Sequence, residues 1–467
     1  MEQTFSLRDY QIRGIERVKE NNGRLLLNMP CGSGKSWTAI FLKHYYPFIK
    51  KVLVLCPSSI KAQWKQEINR IFPNDEVTVL RGHYQSGFAD SIFCADWIVI
   101  NYDILAESNP KYLMWSDVLS RIQFDLVIID ESHYISSPSA LRTQAVQKIV
   151  HKIKNRVLLS GTPISTNLEN LYTQLNLVDP VKFTTEKEYK NKYCTYILKK
   201  IHARGKTIRF NELQPPTQQQ IELLKSDMKD DVYFVSKDVV YSHLPETTYV
   251  EVPCVENYND MRNEINALIS SSDDSSKAKA TFADAMLKLG EMKLDFTVDY
   301  CKQLNDIDDR KVCICAYNRS IVEKLHERLL SSSVFFYGGM KEEDRRKAVS
   351  EFINNPEIKF FIMNCNTITG LDGLNTVCST IVFCQIPYTW SVFSQCVGRI
   401  KRANSTFDKY FAYTVIAENE LDKAVYNTMI DRKNVAESLF EDTKETSTTE
   451  QSFMKDIIRR LKKDDNV

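Results

Sequence analysis

A chain of 467 residues exceeds one ordinary domain and fits two or three. Its 43% hydrophobic and 26% charged residues are those of a globular protein that can bury large cores without staples. The net charge of +1 excludes a global field drawing it onto nucleic acid, and no apolar run approaches the ~18 residues that cross a bilayer. Its opening residues form no signal peptide. The 12 cysteines are scattered, several within apolar strands (Cys56, Cys313, Cys315, Cys384), and no CxxC pair occurs. Neither a zinc site nor a disulfide framework is expected, which fits a reducing, cytosol-like compartment.

In chain order, strands are expected at 25–27, 51–56, 97–100, 126–129 and 156–160, separated by helical patterns such as 61–71 and 140–151. This alternation implies an α/β fold with a parallel sheet covered on both faces. From about 180 to 245 the chain is polar, basic and helical in pattern. Between Lys182 and Arg209, nine Lys/Arg face only Glu186 and Glu188, interleaved with Tyr189, Tyr193 and Tyr196. The segment fits a surface that neutralises a phosphate backbone, or equally a solvated helix face. The SSSDDSS run at 270–276 reads as a surface turn. A second alternating pattern follows at 311–316, 334–337, 359–364, 380–384 and 410–415. After 440 a polar tail ends in a basic amphipathic segment, 453–463, expected to be a frayed, solvated terminus.

Three constellations carry chemistry. The first is MPCGSGKSW at 29–37, between the first strand and a helical pattern. Backbone N–H groups of Gly32, Ser33 and Gly34, with Cys31 at the turn, would face phosphates at a helix N-terminus. Lys35 would reach the β/γ-phosphates and Ser36 would hold Mg²⁺. Met29 stands where the full pattern has glycine, so by itself the stretch also fits a Gly-rich turn with a solvated lysine. The second is DLVIIDESH, whose apolar strand ends in Asp130, Glu131 and His133. Asp130 suits Mg²⁺ held through water, and Glu131 an attacking water; capping of the next helix is the structural alternative. His133 would couple this site to others. The third is Gln395-Cys-Val-Gly-Arg399-Ile-Lys-Arg402, expected to put two arginines on one helix face. From a second domain they could reach a γ-phosphate bound by the first, making hydrolysis depend on closure.

The set resembles the superfamily 2 helicases, and more closely the Snf-type DNA translocases, from about Leu7 to Phe440. Leu7-Arg8-Asp9-Tyr10-Gln11 is similar to that family's adenine-recognition motif, which implies that Arg8 and Gln11 favour ATP. Pro57, Ser58, Gln63 and Trp64, with Asn101 and Tyr102, match segments implied to grip a nucleic-acid backbone. Ser160-Gly161-Thr162-Pro163 resembles the coupling motif, and Asn167–Tyr172 (NLENLY) is Snf-like. Tyr337-Gly338-Gly339 and TITGLDGLN at 367–375 resemble strand-tracking and domain-coupling motifs, implicating Thr367, Gly370 and Asp372. DESH, the NYD tripeptide and LYTQ at 171–174 favour the annealing-helicase branch, which remodels forks. Leu371 departs from the Snf pattern, and Pro30-Cys31-Gly32 resembles transcription-repair-type helicases instead.

The resemblance implies two tandem RecA-like domains: 1–180 binding ATP, 181–300 helical insertions and linker, 301–440 the second domain, 441–467 a tail. The function expected is ATP-dependent, sequence-independent movement along duplex or forked DNA, with replication or repair proteins as possible partners. A strand-separating DNA or RNA helicase is the alternative, weakened by the lack of a recognisable wedge hairpin. A nucleotide-gated nucleic-acid-binding scaffold is the other. The location expected is cytoplasmic, nucleoid or nuclear, and so economical a chain would suit a compact genome such as a virus's.

Overall fold

The computed structural model describes residues 6–30, 32–84, 89–106, 113–161, 168–203, 206–214, 216–254, 261–270, 275–368, 371–402 and 404–439, with Met454, Ile457, Ile458, Arg460 and Leu461. Residues through Val239 form one compact unit, and Val240–Glu437 the core of a second. Among the described residues no helix is long and apolar enough to cross a membrane.

The first unit is built on β1 (Arg24–Asn28), β2 (Val52–Cys56), β3 (Val77–Val79), β4 (Trp97–Asn101), β5 (Leu126–Ile129) and β6 (Asn155–Ser160). Every residue of β2, β4 and β5 is buried, as continuous apolar strands must be when helices cover both sheet faces. The sheet is parallel, in the order β3-β4-β2-β5-β6-β1-β9, where β9 is Val232–Phe234. Leu26 stands opposite Leu158 of β6 on one side and Val232 of β9 on the other. That order sets the carboxyl ends of β5, β6 and β1 side by side, where functional groups collect in open α/β sheets. Helices α1 (Asp9–Glu20), α2 (Lys35–Tyr45) and α3 (Lys61–Ile71) carry the residues that matter most there.

Two expectations fail in this unit. The basic stretch after residue 180 is not wholly helical: β7 (Tyr196–Ala203) and β8 (Lys206–Leu213) form an antiparallel hairpin, from Tyr196↔Leu213 to Ala203↔Lys206. The β-branched Ile197, Ile201, Thr207 and Ile208 favour strand over the helix suggested by the lysines. The sequence has no Asn-Gly or Asp-Gly between these strands, so the usual hairpin signal was lacking. Nor does 181–300 form a separate middle segment. Its first part, ending in β9, completes the first sheet, and its second part belongs to the other unit.

The second unit is also a parallel sheet, in the order β10-β15-β14-β11-β13-β12. Its strands are β10 (Thr247–Cys254), β11 (Lys311–Ala316), β12 (Ser333–Phe336), β13 (Phe360–Asn364), β14 (Cys378–Phe383) and β15 (Tyr410–Ala417). Strand periodicity divides β11 cleanly: Cys313 and Cys315 enter one core cluster, Val312, Ile314 and Ala316 the other. Around the SSSDDSS run, Ser270 ends one helix and Ser275 begins the next; 271–274 lie outside the described residues. The tail is not frayed where it is described. Met454, Ile457, Ile458 and Leu461 are buried against the cluster containing Leu268, Val425 and Met429, which hides the apolar side of that amphipathic segment.

Candidate active site

The turn from β1 to α2 is held by backbone conformations that favour glycine. Gly32 (φ +77°) and Gly34 (φ +83°) are left-handed, and Gly34 caps α2. A Cβ on Gly34 would lie 2.4 Å from the Gln11 amide nitrogen, so a side chain there would displace Gln11 from the loop. Lys35 begins α2, largely buried, with Nζ donating to the carbonyls of Met29 (3.0 Å) and Pro30 (3.3 Å). Ser36 is half-buried beside it. Cys31 lies outside the described residues.

Helix α1 latches onto this loop. The Gln11 amide donates to the Ser33 and Gly34 carbonyls, both at 3.2 Å, and its oxygen accepts from the Arg8 backbone N–H at 2.8 Å. The Tyr10 hydroxyl donates to the Ser33 carbonyl at 2.9 Å. Both ends of the Gln11 side chain are thus engaged within the protein. In this conformation Gln11 positions the phosphate loop, a role the sequence reading did not foresee.

Asp130 follows β5 and is almost fully buried. Its Oδ2 accepts from the Trp64 indole N–H at 2.8 Å and its Oδ1 from the Glu131 backbone N–H at 2.9 Å. The Tyr102 hydroxyl donates to its carbonyl. Burial, then the neighbouring charge of Glu131, pushes its carboxyl up to about 7, against the opposing pull of Lys35 and the Trp64 hydrogen bond. A carboxylate so destabilised is a site where a cation is favourable. With the partnerless buried Ser33 hydroxyl, the site fits a nucleotide phosphate with Mg²⁺.

Glu131 has φ +48°, a left-handed conformation for a residue with a Cβ, costing on the order of 1–2 kcal/mol. Such strain is kept where it aims a functional side chain. Its Oε2 lies 3.3 Å from His133 Nδ1, which is 3.4 Å from the Ser160 hydroxyl. Burial holds His133 below the usual imidazole range, although Glu131 pulls the other way. His133 is therefore held toward its neutral form. The Ser160 carbonyl accepts from the Met29 N–H at 3.2 Å, tying the end of β6 to the phosphate loop. Gly161 is buried next to it, and Thr162 lies outside the described residues.

The nucleic-acid assignments need correction. Trp64, Asn101 and Tyr102 are 2%, 3% and 1% exposed, too buried to grip a polymer's backbone. Trp64 and Tyr102 instead hold Asp130, and Asn101 accepts from Lys61 Nζ at 2.7 Å. Pro57 is buried as well, whereas Ser58 is exposed and Gln63 half-buried. Resemblance to family segments suggested the polymer; the pairing of β2 with both β4 and β5 brings Trp64 and Tyr102 to Asp130.

In the second unit the helix Trp390–Ile400 carries Gln395 and Arg399, both half-buried. Arg402 does not share that helix, which ends at Ile400. The two guanidiniums nevertheless converge, Arg399 Nη1 and Arg402 Nη2 each donating to the Leu371 carbonyl at 2.9 Å. Arg402 also pairs with Asp372 at 3.1 Å, so Asp372 restrains an arginine here. Gly370 lies outside the described residues. Gly338 lies against Thr367, whose methyl would be 2.8 Å from a Cβ placed there.

A phosphate loop beside a carboxylate pair, in a parallel sheet followed by a second such sheet, defines a nucleotide hydrolase of the helicase kind. Residues 10–289 match the SNF2-related domain and 293–404 the helicase conserved C-terminal domain. The chain belongs to the SNF2-related family of superfamily 2 ATPases. It is 24% identical over 460 residues to the cattle protein "DNA annealing helicase and endonuclease ZRANB3", covering 95% of this chain and 41% of that one. A Caenorhabditis elegans homolog of the SWI/SNF-related regulator of chromatin subfamily A-like protein 1 is 25% identical over 454 residues, covering 91% and 60%. The chain thus spans roughly half the length of these two relatives. Among solved structures, the "Sulfolobus solfataricus SWI2/SNF2 ATPase core in complex with dsDNA" aligns with 98% of this chain and 97% of its own, at 19% identity and TM-score 0.45.

Proposed function

We propose that this protein is an ATP-driven DNA translocase that moves along duplex or forked DNA without reading its sequence. The observation that carries the reading is the intact hydrolytic set: Lys35 at the carboxyl end of β1 and Asp130 and Glu131 at that of β5, with Arg399 and Arg402 converging in the second unit. A scaffold that uses nucleotide only to switch shape has no need of all five. ATP would be held by Gly32, Ser33, Gly34, Lys35 and Ser36, and Mg²⁺ by Ser36 and Asp130, supplying charge neutralisation on the phosphates. Glu131, aimed by its strained backbone, takes the proton of the attacking water. Neutral His133 relays the state of Glu131 to Ser160 and so to the phosphate loop. Arg399 and Arg402 would bring positive charge, and Gln395 a neutral hydrogen-bond donor, to the γ-phosphate when the units close, which makes hydrolysis and motion one cycle.

DNA is the partner favoured by family membership, by the exposed Ser58 with the half-buried Gln63, Gly338 and Thr367, and by the names of the relatives. Backbone contacts position without specifying sequence, so binding should weaken steeply with salt. Action at forks, with replication or repair proteins, follows from similarity to the annealing helicases. Strand separation is a second reading, favoured by the β7–β8 hairpin.

The test is ATP hydrolysis by wild type and Lys35→Ala, without nucleic acid and with single-stranded, duplex and forked DNA and duplex RNA. Stimulation greatest with duplex or fork and absent from the variant supports translocation. Stimulation by single strands alone favours strand separation, and none by any polymer refutes the motor.

A further inference from the structure

Three cysteines far apart in sequence meet in the second unit's core. Cys315 is on β11, Cys365 directly follows β13 and Cys396 is on the helix Trp390–Ile400. Their sulfurs all lie within 4.8 Å of one another, and the residues are 0%, 1% and 0% exposed. Sulfurs bound to one metal at about 2.3 Å stand ~4 Å apart, so closing this triangle requires movements of less than about 1 Å. Single buried cysteines pack as small apolar groups. Three converging from two strand ends and a helix also make a set of soft donors.

We propose that Cys315, Cys365 and Cys396 form a three-coordinate site for a thiophilic monovalent cation of the Cu(I) type. Donor type and number both favour it. Thiolate sulfur selects Cu(I) and zinc among biological metals, but structural zinc takes four ligands. Among the described residues no histidine, carboxylate or further cysteine joins the trio. Binding converts three S–H groups into three metal–sulfur bonds and releases three protons to solvent, with no change of oxidation state. The bound centre carries −2, of which one unit is offset by the Arg399 guanidinium, whose positive charge acts on Cys396. Because the site is buried, entry requires local opening and uptake should be slow.

Occupancy also has a mechanical consequence, which rests on the role proposed for Arg399. Cys396 sits directly after Gln395 and one turn before Arg399 on the same helix. Drawing its sulfur toward β11 and β13 shifts the helix that aims Arg399. Cu(I) should then slow ATP hydrolysis from within the second unit, without touching nucleotide.

The experiment is anaerobic titration of the full chain with Cu(I) against a competing chelator, following Cu–thiolate absorbance, in a Cys94→Ser background that removes an exposed thiol. The proposal expects one tight equivalent, lost in both Cys365→Ala and Cys315→Ala and kept in Cys301→Ala, a buried cysteine of the other core cluster. Circular dichroism establishes that each variant is folded. DNA-stimulated ATPase should fall at least fivefold on binding, and not in Cys365→Ala. Unchanged stoichiometry in folded Cys365→Ala and Cys315→Ala, or Zn²⁺ held more tightly than Cu(I), overturns the site. Tight binding with unchanged ATPase overturns the coupling alone, and the binding readout stands whatever the motor does.

Discussion

Trp64→Phe is the perturbation that probes the hydrolytic site most selectively. It keeps an aromatic ring among the buried residues of α3 and deletes one hydrogen bond, the 2.8 Å indole contact to Asp130 Oδ2. A hydrogen bond to an ionised, buried carboxylate contributes about 1.5–3 kcal/mol. By transition-state arithmetic this is roughly a 10- to 150-fold loss in whichever step needs ionised Asp130. Burial and Glu131 already push this carboxyl up, and Trp64 is among the groups holding it down. Its removal should therefore move the acid limb of the ATPase pH profile to higher pH and raise the Mg²⁺ concentration at half-maximal rate. The assay is steady-state ATP hydrolysis across Mg²⁺ concentration and pH, with saturating DNA and a melting curve as the control for folding. A folded Trp64→Phe protein with wild-type Mg²⁺ dependence and an unmoved acid limb would refute the reasoning.

Two further predictions concern stability. Lys293 and Asp422, 129 positions apart, pair at 2.9 Å with both side chains buried, and Asp422 also accepts the Ala417 N–H at 2.7 Å. Lys293→Met should destabilise the second unit by about 3–5 kcal/mol in urea unfolding, and Lys293→Met with Asp422→Leu should recover most of that loss; single-variant losses under about 1 kcal/mol would show the pair to be solvated. Burial lowers the His133 pKa, so below pH 6.5 the unfolded chain binds the extra proton first and stability falls as pH drops toward the folded value. His133→Asn should reduce the loss of melting temperature between pH 7.5 and 5.5, and an unchanged loss would contradict the neutral assignment.

Local chemistry made much of this molecule readable in its sequence. Leu25–Leu27 and Leu126–Ile129 are apolar at every position because parallel strands are buried on both faces, and the order of two such sheets followed from their alternation with helices. The placement of Lys35 after β1 and of Asp130 and Glu131 after β5 was legible because each follows an apolar strand. What escaped depends on partners distant in sequence. Nothing near Trp64 announces Asp130, 66 positions on, and the partners of Asn101 and Tyr102, Lys61 and Asp130, are likewise distant in sequence. The β7–β8 hairpin was hidden because its lysines suggested a helix while its β-branched residues decided otherwise. Strand β9 is three residues long, too short to carry a period, and joins the first sheet only through pairing with β1. The docking of Ile457 and Leu461 depended on an apolar surface that exists only once the second unit has folded.

The central claim is that hydrolysis at Glu131 drives movement along duplex DNA. Displacement of a third strand from a DNA triplex, with ATP and purified protein, tests it most directly, comparing wild type with Glu131→Gln. The account predicts ATP-dependent displacement by wild type, and none by Glu131→Gln although that variant still binds ATP and DNA. Displacement by Glu131→Gln at the wild-type rate, or none by a wild type that hydrolyses ATP on duplex DNA, would contradict it.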